Sequence, residues 1–180
     1  DCCPFSDGAS SVVLCSEKFA KAHGGDYIEV TGSGRGGSPA ALQGREQMTT
    51  IPSTKIASEA AYKMAGITAK DVDFAEVHDC FTIAEVVDTE DLGFFGKGQG
   101  IQAIREDRTK LNSDISINPS GGLKSKGHPI GATGVGQVVE VFDQLTGKAG
   151  ARTVKDAKVG LTHNFGATGA SCAVHVFQSV

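Results

Sequence analysis

"INPSGGLKSKGHPIGATGVGQ", residues Ile117 to Gln137, is a glycine-rich stretch that leads directly into a helical pattern. The first amide groups of a helix have no partner within the helix, so a glycine turn there can aim them at an anion or a developing negative charge. The stretch holds one histidine, His128. Two interpretations stay open at this point: His128 is a solvated residue of a tight turn, or the turn positions it for chemistry.

Strand and helix patterns alternate along the rest of the chain. Five runs are strand-like: Ser10–Cys15, Tyr27–Gly32, Asp73–His78, Ala157–Asn164 and Ala170–Phe177. Helical spacing predicts one helix near residues 52–67, with Ser53 as its N-cap and Gly66 at its end. Two more helices are predicted, over Thr82–Leu92 and Ala132–Leu145. This order predicts an α/β layered sandwich: a mixed five-stranded sheet with helices on both faces, ending in a hairpin.

The third predicted helix begins with two turns, "GATGVGQVV", that carry no charge on any face. A helix that covers one side of a sheet normally keeps a polar outer stripe. We therefore expect another domain or subunit to pack over this helix.

Composition excludes several classes of function. At 180 residues the chain fits one domain, and its formal net charge of −4 lacks the basic stripe of a nucleic-acid binder. It shows no secretory signal pattern, no apolar run near 18 residues and no peroxisomal address. We expect a cytoplasmic protein with no nucleic-acid or membrane partner.

The five cysteines have irregular spacing, so reduced thiols are expected and a disulfide framework is not. His163, Cys172 and His175 are candidate metal ligands. Cys172 and His175 would point to opposite faces of an extended strand, however, so no metal site is expected.

"VHDCFTIAEV" places Cys80 between an apolar strand and a helix, where catalytic residues of α/β folds often lie. The helix N-terminus is expected to lower the pKa of a thiol there. The alternative is that Cys80 is a buried structural cysteine.

Two other glycine segments have competing interpretations. "HNFGATG", His163–Gly169, is either a plain hairpin or an oxyanion pocket of backbone amides. "GSGRGG", Gly32–Gly37, formally matches a dinucleotide-binding motif. No strand ending in an acidic residue follows about twenty residues later, so NAD binding is not expected.

Three segments together, "HDCF", "NPSGGLKSKGHPIGATG" and "HNFGATG", resemble the thiolase superfamily in order and separation. The opening "DCCPFSDGASSVVL" resembles the start of the C-terminal half of those enzymes, so the resemblance covers essentially the whole chain. The "HDCF" variant is similar to sterol-carrier-protein-type thiolases and their archaeal and bacterial relatives, known as lipid-transfer proteins or acetyl-CoA acetyltransferases. The fold implied is one half of a thiolase-like layered sandwich, residues 1–180 forming a C-terminal domain.

The resemblance implies roles for particular residues. His128 would activate a cysteine nucleophile and face the thioester oxygen, and Cys80 would exchange a proton with the α-carbon. His78 would contribute to one oxyanion hole, and the backbone amides of Phe165 and Gly166 to a second. His163 and Asn118 are possible supporting residues. A coenzyme A thioester is the implied substrate, without a covalently bound cofactor or a metal.

The family's nucleophilic cysteine and its CoA-gripping loop domain belong to segments that match nothing in this chain. Cys2, Cys3 and Cys15 match the domain junction instead. We therefore expect a thiolase C-terminal domain that is inactive alone, partners with an N-terminal half and forms homo-oligomers. The alternatives are a non-catalytic thiolase-fold binding or scaffolding module and, more weakly, a free-standing Cys–His hydrolase.

Overall fold

A computed structural model describes residues 1–180, in which a five-stranded mixed sheet has the order β1-β5-β4-β2-β3. The strands are β1 Ile28–Gly37, β2 Phe74–Glu76, β3 Ser116–Ile117, β4 Val159–Gly166 and β5 Ser171–Ser179. Strand β5 is antiparallel to both β1 and β4, whereas β2 is parallel to both β4 and β3. The predicted mixed sheet and closing hairpin are confirmed.

Six α-helices flank the sheet: α1 Glu17–His23, α2 Pro52–Ala65, α3 Thr82–Asp91, α4 Gly100–Arg105, α5 Gly122–Lys126 and α6 Thr133–Leu145. Short 3₁₀ turns lie at Leu42–Gly44, Ala69–Asp71, Gly150–Arg152 and Ala167–Gly169. The three predicted helices correspond to α2, α3 and α6. None of the six combines the length and the apolar character that crossing a membrane requires.

The strand predicted over Ser10–Cys15 is wrong, since these residues pair with no strand. Val13 and Leu14 are 89% and 80% exposed, so the apolar run there marks an open surface. The fifth strand is β3, whose two residues are too few for any alternation of apolar and polar positions to be visible in the sequence.

Helix α2 packs on one face of the sheet because the glycines of "GSGRGG" leave room for it. A Cβ at Gly32, Gly34 or Gly36 would lie 2.4, 1.9 or 2.0 Å from a backbone oxygen of α2. These alternate residues therefore share the face of β1 that meets the helix. The motif is a helix-packing surface within a strand and not a dinucleotide-binding turn.

The two ends of α2 differ in how well they follow the prediction. Gly66 ends the helix with a left-handed φ of 70°, as expected. Ser53 is not the N-cap: Ile51 holds that position, and Pro52 begins the helix. The Ser53 hydroxyl instead donates to the Gly169 carbonyl oxygen at 2.7 Å, because burial against the β4–β5 turn outweighs its local capping preference.

Helix α6 covers the other face, where Val141 packs with Phe74, Val154 and Phe177. Helices thus lie on both faces, as predicted. The uncharged first turns of α6 are half-buried, and part of their cover comes from this chain: a Cβ at Gly136 would lie 3.5 Å from the Ser10 Oγ.

Candidate active site

The site forms where the neighbouring parallel strands β2 and β4 end. The chain leaves β2 at Glu76 and continues directly into His78, Asp79 and Cys80, while β4 runs on to Phe165 and Gly166. Because carboxyl ends of parallel strands meet at one edge of a sheet, these residues converge there.

The N-terminal segment joins the two loops that carry the predicted catalytic residues. The Cys3 backbone N–H donates to the Cys80 carbonyl oxygen at 2.9 Å, and the His128 N–H donates to the Pro4 carbonyl oxygen at 3.0 Å. The His78 and His128 rings lie edge to face with centroids 5.0 Å apart. The structure thus brings His78 and His128 together, with the loop of Cys80 beside them.

The hydrogen bonds of His128 leave one ring nitrogen free to accept a proton. Its Nδ1 lies 2.6 Å from the Thr133 Oγ1, and that hydroxyl donates to the Pro129 carbonyl oxygen at 3.1 Å. A hydroxyl has one hydrogen, so Thr133 accepts from Nδ1–H and Nε2 keeps its lone pair. Burial lowers the pKa of His128 and favours this neutral form.

An open cavity of about 330 Å³ lies beside His128. Its other lining residues are Phe5, Ser6, Asp7 and Ile130. The glycine-rich turn therefore presents His128 at a concave, open surface.

Cys80 is half-buried, and its pKa is raised to about 11, first by burial and next by the Asp88 carboxyl. This is opposite to the lowering expected from the helix N-terminus. Desolvation and nearby carboxylates disfavour the thiolate more than the short reach of the helix end favours it. Cys80 is therefore a thiol at neutral pH, able to give a proton.

Asp79 holds the Cys80 loop against the glycine-rich stretch, a role that sequence reasoning missed. Its Oδ1 accepts from the Leu123 backbone N–H at 2.7 Å and its Oδ2 from the Lys124 N–H at 3.3 Å. These amides lie in the first turn of α5, where partners within the helix are lacking. The only sign of this role in the sequence was a polar residue between His78 and Cys80.

His163 lies fully buried behind the site. Its Nε2 is 2.9 Å from the Thr54 Oγ1, and burial lowers its pKa to about 3, which keeps the ring neutral. Its Nδ1 lies 3.7 Å from Asp88 Oδ2, and neither oxygen of Asp88 has a hydrogen-bond partner. Burial raises the Asp88 pKa well above its usual range, whereas it lowers that of the neighbouring His163.

Asn118 supports strand β2 from its carboxyl end. Its Oδ1 accepts from the Val77 backbone N–H at 2.8 Å, and its Nδ2 donates to Glu85 Oε2 at 3.3 Å. Asn118 therefore touches the backbone that leads into His78.

Phe165 and Gly166 lie at the end of β4. The Phe165 ring is 4.9 Å from the His78 ring and 5.8 Å from the His163 ring, measured between centroids. The following Ala167, Thr168 and Gly169 all have positive φ, at 48°, 55° and 90°. This left-handed backbone turns the chain sharply beside the two histidines.

Only two of the three candidate metal ligands, His163 and Cys172, lie together, because both contact the Thr54 hydroxyl. Cys172 is packed against Thr54 on the α2 side of the sheet, and His175, an odd number of residues away, lies on the opposite face. The structure contains no group of three or more His, Cys, Asp or Glu side chains suited to a metal ion.

Fold and site together define an α/β domain whose mixed sheet carries two adjoining histidines, His78 and His128, at the carboxyl ends of its parallel strands, with the Cys80 loop beside them. The family model described as thiolase C-terminal domain-like matches residues 34–179. This chain therefore belongs to the thiolase C-terminal domain-like family.

Relatives agree with this assignment. The chain is 46% identical over 178 residues to an acetyl-CoA acetyltransferase of Methanothermobacter thermautotrophicus, covering 99% of this chain and 46% of that protein. It is 39% identical over 184 residues to human sterol carrier protein 2, covering 94% of this chain and 32% of that protein. The chain thus spans about half or less of the curated relatives it matches.

A solved structure titled Ltp2-ChsH2(DUF35) aldolase shares the fold, with a TM-score of 0.76 at 18% identity. The match covers 86% of this chain and 40% of that one.

Proposed function

We propose that this chain is the C-terminal catalytic domain of a thiolase-type acyl-CoA acyltransferase. Its reaction is the reversible Claisen condensation or thiolytic cleavage of a 3-ketoacyl-CoA. The observation that carries the proposal is the state of His128, a neutral imidazole whose Nε2 has no hydrogen-bond partner in the chain and which borders an open cavity.

His128 acts as the base for a nucleophilic cysteine. In the cleavage direction the nucleophile's thiol gives its proton to His128 Nε2, and the resulting thiolate attacks the 3-keto carbon. The bond between C2 and C3 breaks, and its electron pair remains on C2 as the enolate of acetyl-CoA. A histidine of lowered pKa suits this task because it is neutral, and therefore able to accept a proton, at physiological pH.

Cys80 supplies the proton that the enolate needs at C2. Its raised pKa keeps it protonated until that step, after which it is a thiolate. An incoming CoA thiol returns a proton to Cys80 and attacks the acyl-enzyme as a thiolate. The departing nucleophile regains its proton from His128, so all groups return to their starting states. Condensation follows the same steps in reverse.

Oxyanion stabilisation is assigned to the backbone amides of Phe165 and Gly166 and to His78. Each well-placed donor contributes about 3 kcal/mol to the transition state. The left-handed backbone that follows Gly166 supports this proposal because it fixes the direction of the hairpin beside His78.

The nucleophile is proposed to come from an N-terminal half that this chain does not include, so the chain alone is inactive. Support comes from the coverage of the relatives, of which this chain matches 46% or less of the length. The substrate partner is an acyl-CoA thioester, and no step requires a metal or a covalently bound cofactor.

The test uses this chain joined to the N-terminal half of the Methanothermobacter relative. Replacing His128 with asparagine is expected to lower kcat/KM for acetoacetyl-CoA thiolysis by about 10²- to 10⁴-fold. His175→Asn, on β5, is the matched control and should leave the rate unchanged. Equal rates for the two variants would contradict the assignment of the base, whereas a scaffolding module would show no turnover to lose.

A further inference from the structure

Two amide side chains, the fully buried Gln137 of α6 and the half-buried Asn164 of β4, lead to His78. Gln137 is fully buried, and its Nε2 donates to the Val77 carbonyl oxygen at 3.3 Å and to the His163 carbonyl oxygen at 3.4 Å. Carbonyl oxygens only accept, so the NH₂ group of Gln137 must face them. The Gln137 Oε1 is therefore turned the other way.

The bond to Gln137 also sets the orientation of the Asn164 amide. Its Nδ2 donates to Gln137 Oε1, so its own Oδ1 faces away from Gln137. That oxygen lies 3.0 Å from the His78 Nδ1. Because an amide oxygen cannot donate, the hydrogen of this bond belongs to His78 Nδ1.

His78 is a neutral ring in this arrangement. Burial lowers its pKa, and a charge on the neighbouring His128 lowers it further. A neutral imidazole carries one N–H, and here that hydrogen is on Nδ1. The His78 Nε2 consequently has a lone pair.

We propose that Gln137 and Asn164 are positioning residues that fix His78 in the Nδ1–H tautomer, so that its Nε2 accepts a proton in the resting protein. His78 can then donate to an oxyanion only after Nε2 has taken up a proton. This use of the tautomer rests on the proposed thiolase function, but the tautomer itself does not.

His128 has the same arrangement, with its Nδ1–H bonded to Thr133. Two imidazolium rings 5.0 Å apart would repel each other, so the pair holds one added proton at a time. The other charged or titratable groups near the pair include Asp79, which favours protonation of both rings, Asp7, which lines the cavity beside His128, and the neutral His163. The proton taken from the nucleophile therefore makes one histidine of this pair an oxyanion donor: His128 while it holds that proton, and His78 only when the proton is on His78 Nε2.

The test is the tautomer of His78 in the 180-residue chain, read by nitrogen-15 NMR from couplings between ring nitrogens and ring protons. The expected result at neutral pH is a single Nδ1–H form of His78. Gln137→Met frees the Asn164 amide to turn, so both tautomers of His78 should appear. Asn164→Asp keeps the Nδ1–H bond and raises the pKa of His78, because a carboxylate stabilises the imidazolium.

Gln144→Met is the matched control. Gln144 is another buried glutamine of α6, whose amide bonds Glu140, Arg152 and Val154 instead. The Gln144→Met substitution should leave the tautomer of His78 unchanged. His175, which has no side-chain hydrogen bond in the structure, provides an internal reference.

Finding wild-type His78 in the Nε2–H form would overturn the inference. This measurement uses the unmodified chain, so it does not depend on whether a variant folds. An unchanged tautomer in a folded Gln137→Met chain would overturn the role of Gln137. Loss of thiolase activity in the joined enzyme with the expected tautomer intact would count against the proposed function alone.

Discussion

Replacing Gly34 with alanine is predicted to force α2 away from the sheet. The new Cβ would lie 1.9 Å from the Ala57 carbonyl oxygen and 2.8 Å from the Ala61 backbone nitrogen. Ordinary van der Waals contact would require the first pair to separate by about 1.5 Å. Both opposing atoms belong to backbone, so no side chain can rotate away. The expected cost is at the upper end for overpacking, about 3 kcal/mol.

Thermal unfolding of the 180-residue chain measures this cost. For a domain of this size, a loss of 3 kcal/mol corresponds to a Tm decrease of about 6–12 °C. Gly37→Ala, on the same strand, is the matched control, because its Cβ would meet only the Ala170 carbonyl oxygen at 3.9 Å. That variant should remain within about 0.5 kcal/mol of the parent. Equal melting temperatures for the two variants would refute the close packing of α2 on β1.

Three further predictions concern the site and the surface. Replacing Cys80 with alanine in the joined enzyme should leave acylation of the nucleophile intact. The rates of α-proton exchange and of carbon–carbon bond formation should fall by about 10²- to 10⁴-fold. Near-normal condensation would show that a group other than Cys80 moves the α-proton. The isolated chain exposes Phe5, Val13 and Leu14, so it should self-associate at micromolar concentration, and sedimentation as an 18.6 kDa monomer that binds no hydrophobic dye would contradict this. Burial lowers the pKa of His163 from 6.5 to about 3. On acidification the imidazole therefore binds a proton in the unfolded chain at a higher pH than in the folded chain. The free energy of unfolding should fall between about pH 6.5 and pH 3, by up to about 5 kcal/mol. Denaturant titrations at several pH values should therefore show that His163→Gln loses less stability in acid than the parent, whereas a parallel pH dependence would mean that His163 is not buried in its neutral form.

The sequence predicted the main strands and helices because their patterns are long enough to read. Four of the five predicted strands overlap observed ones, and the predicted end of α2 at Gly66 is correct. The exception shows the limit: Val13 and Leu14 are apolar without being in a strand, and Ser116–Ile117 is a strand without a readable pattern.

The candidate site was less accessible to sequence reasoning because its properties depend on tertiary contacts. Motif resemblance pointed to His78, Cys80 and His128, and the structure places their loops together. The direction of the Cys80 pKa shift was wrong, since the sequence shows the helix start but not the burial or the approach of Asp88. The orientation of the Gln137 amide likewise depends on carbonyl oxygens that lie 60 and 26 residues away along the chain.

Turnover of acetoacetyl-CoA, measured for the isolated chain and for the chain joined to a thiolase N-terminal half, shows whether the nucleophile lies outside this chain. We expect no hydrolysis or thiolysis above the buffer control by the isolated chain, and thiolysis by the joined protein that is lost when His128 is replaced. Turnover by the isolated chain that depends on Cys80 and His128 would instead show that the chain contains its own nucleophile, and the proposed division of the active site would be wrong.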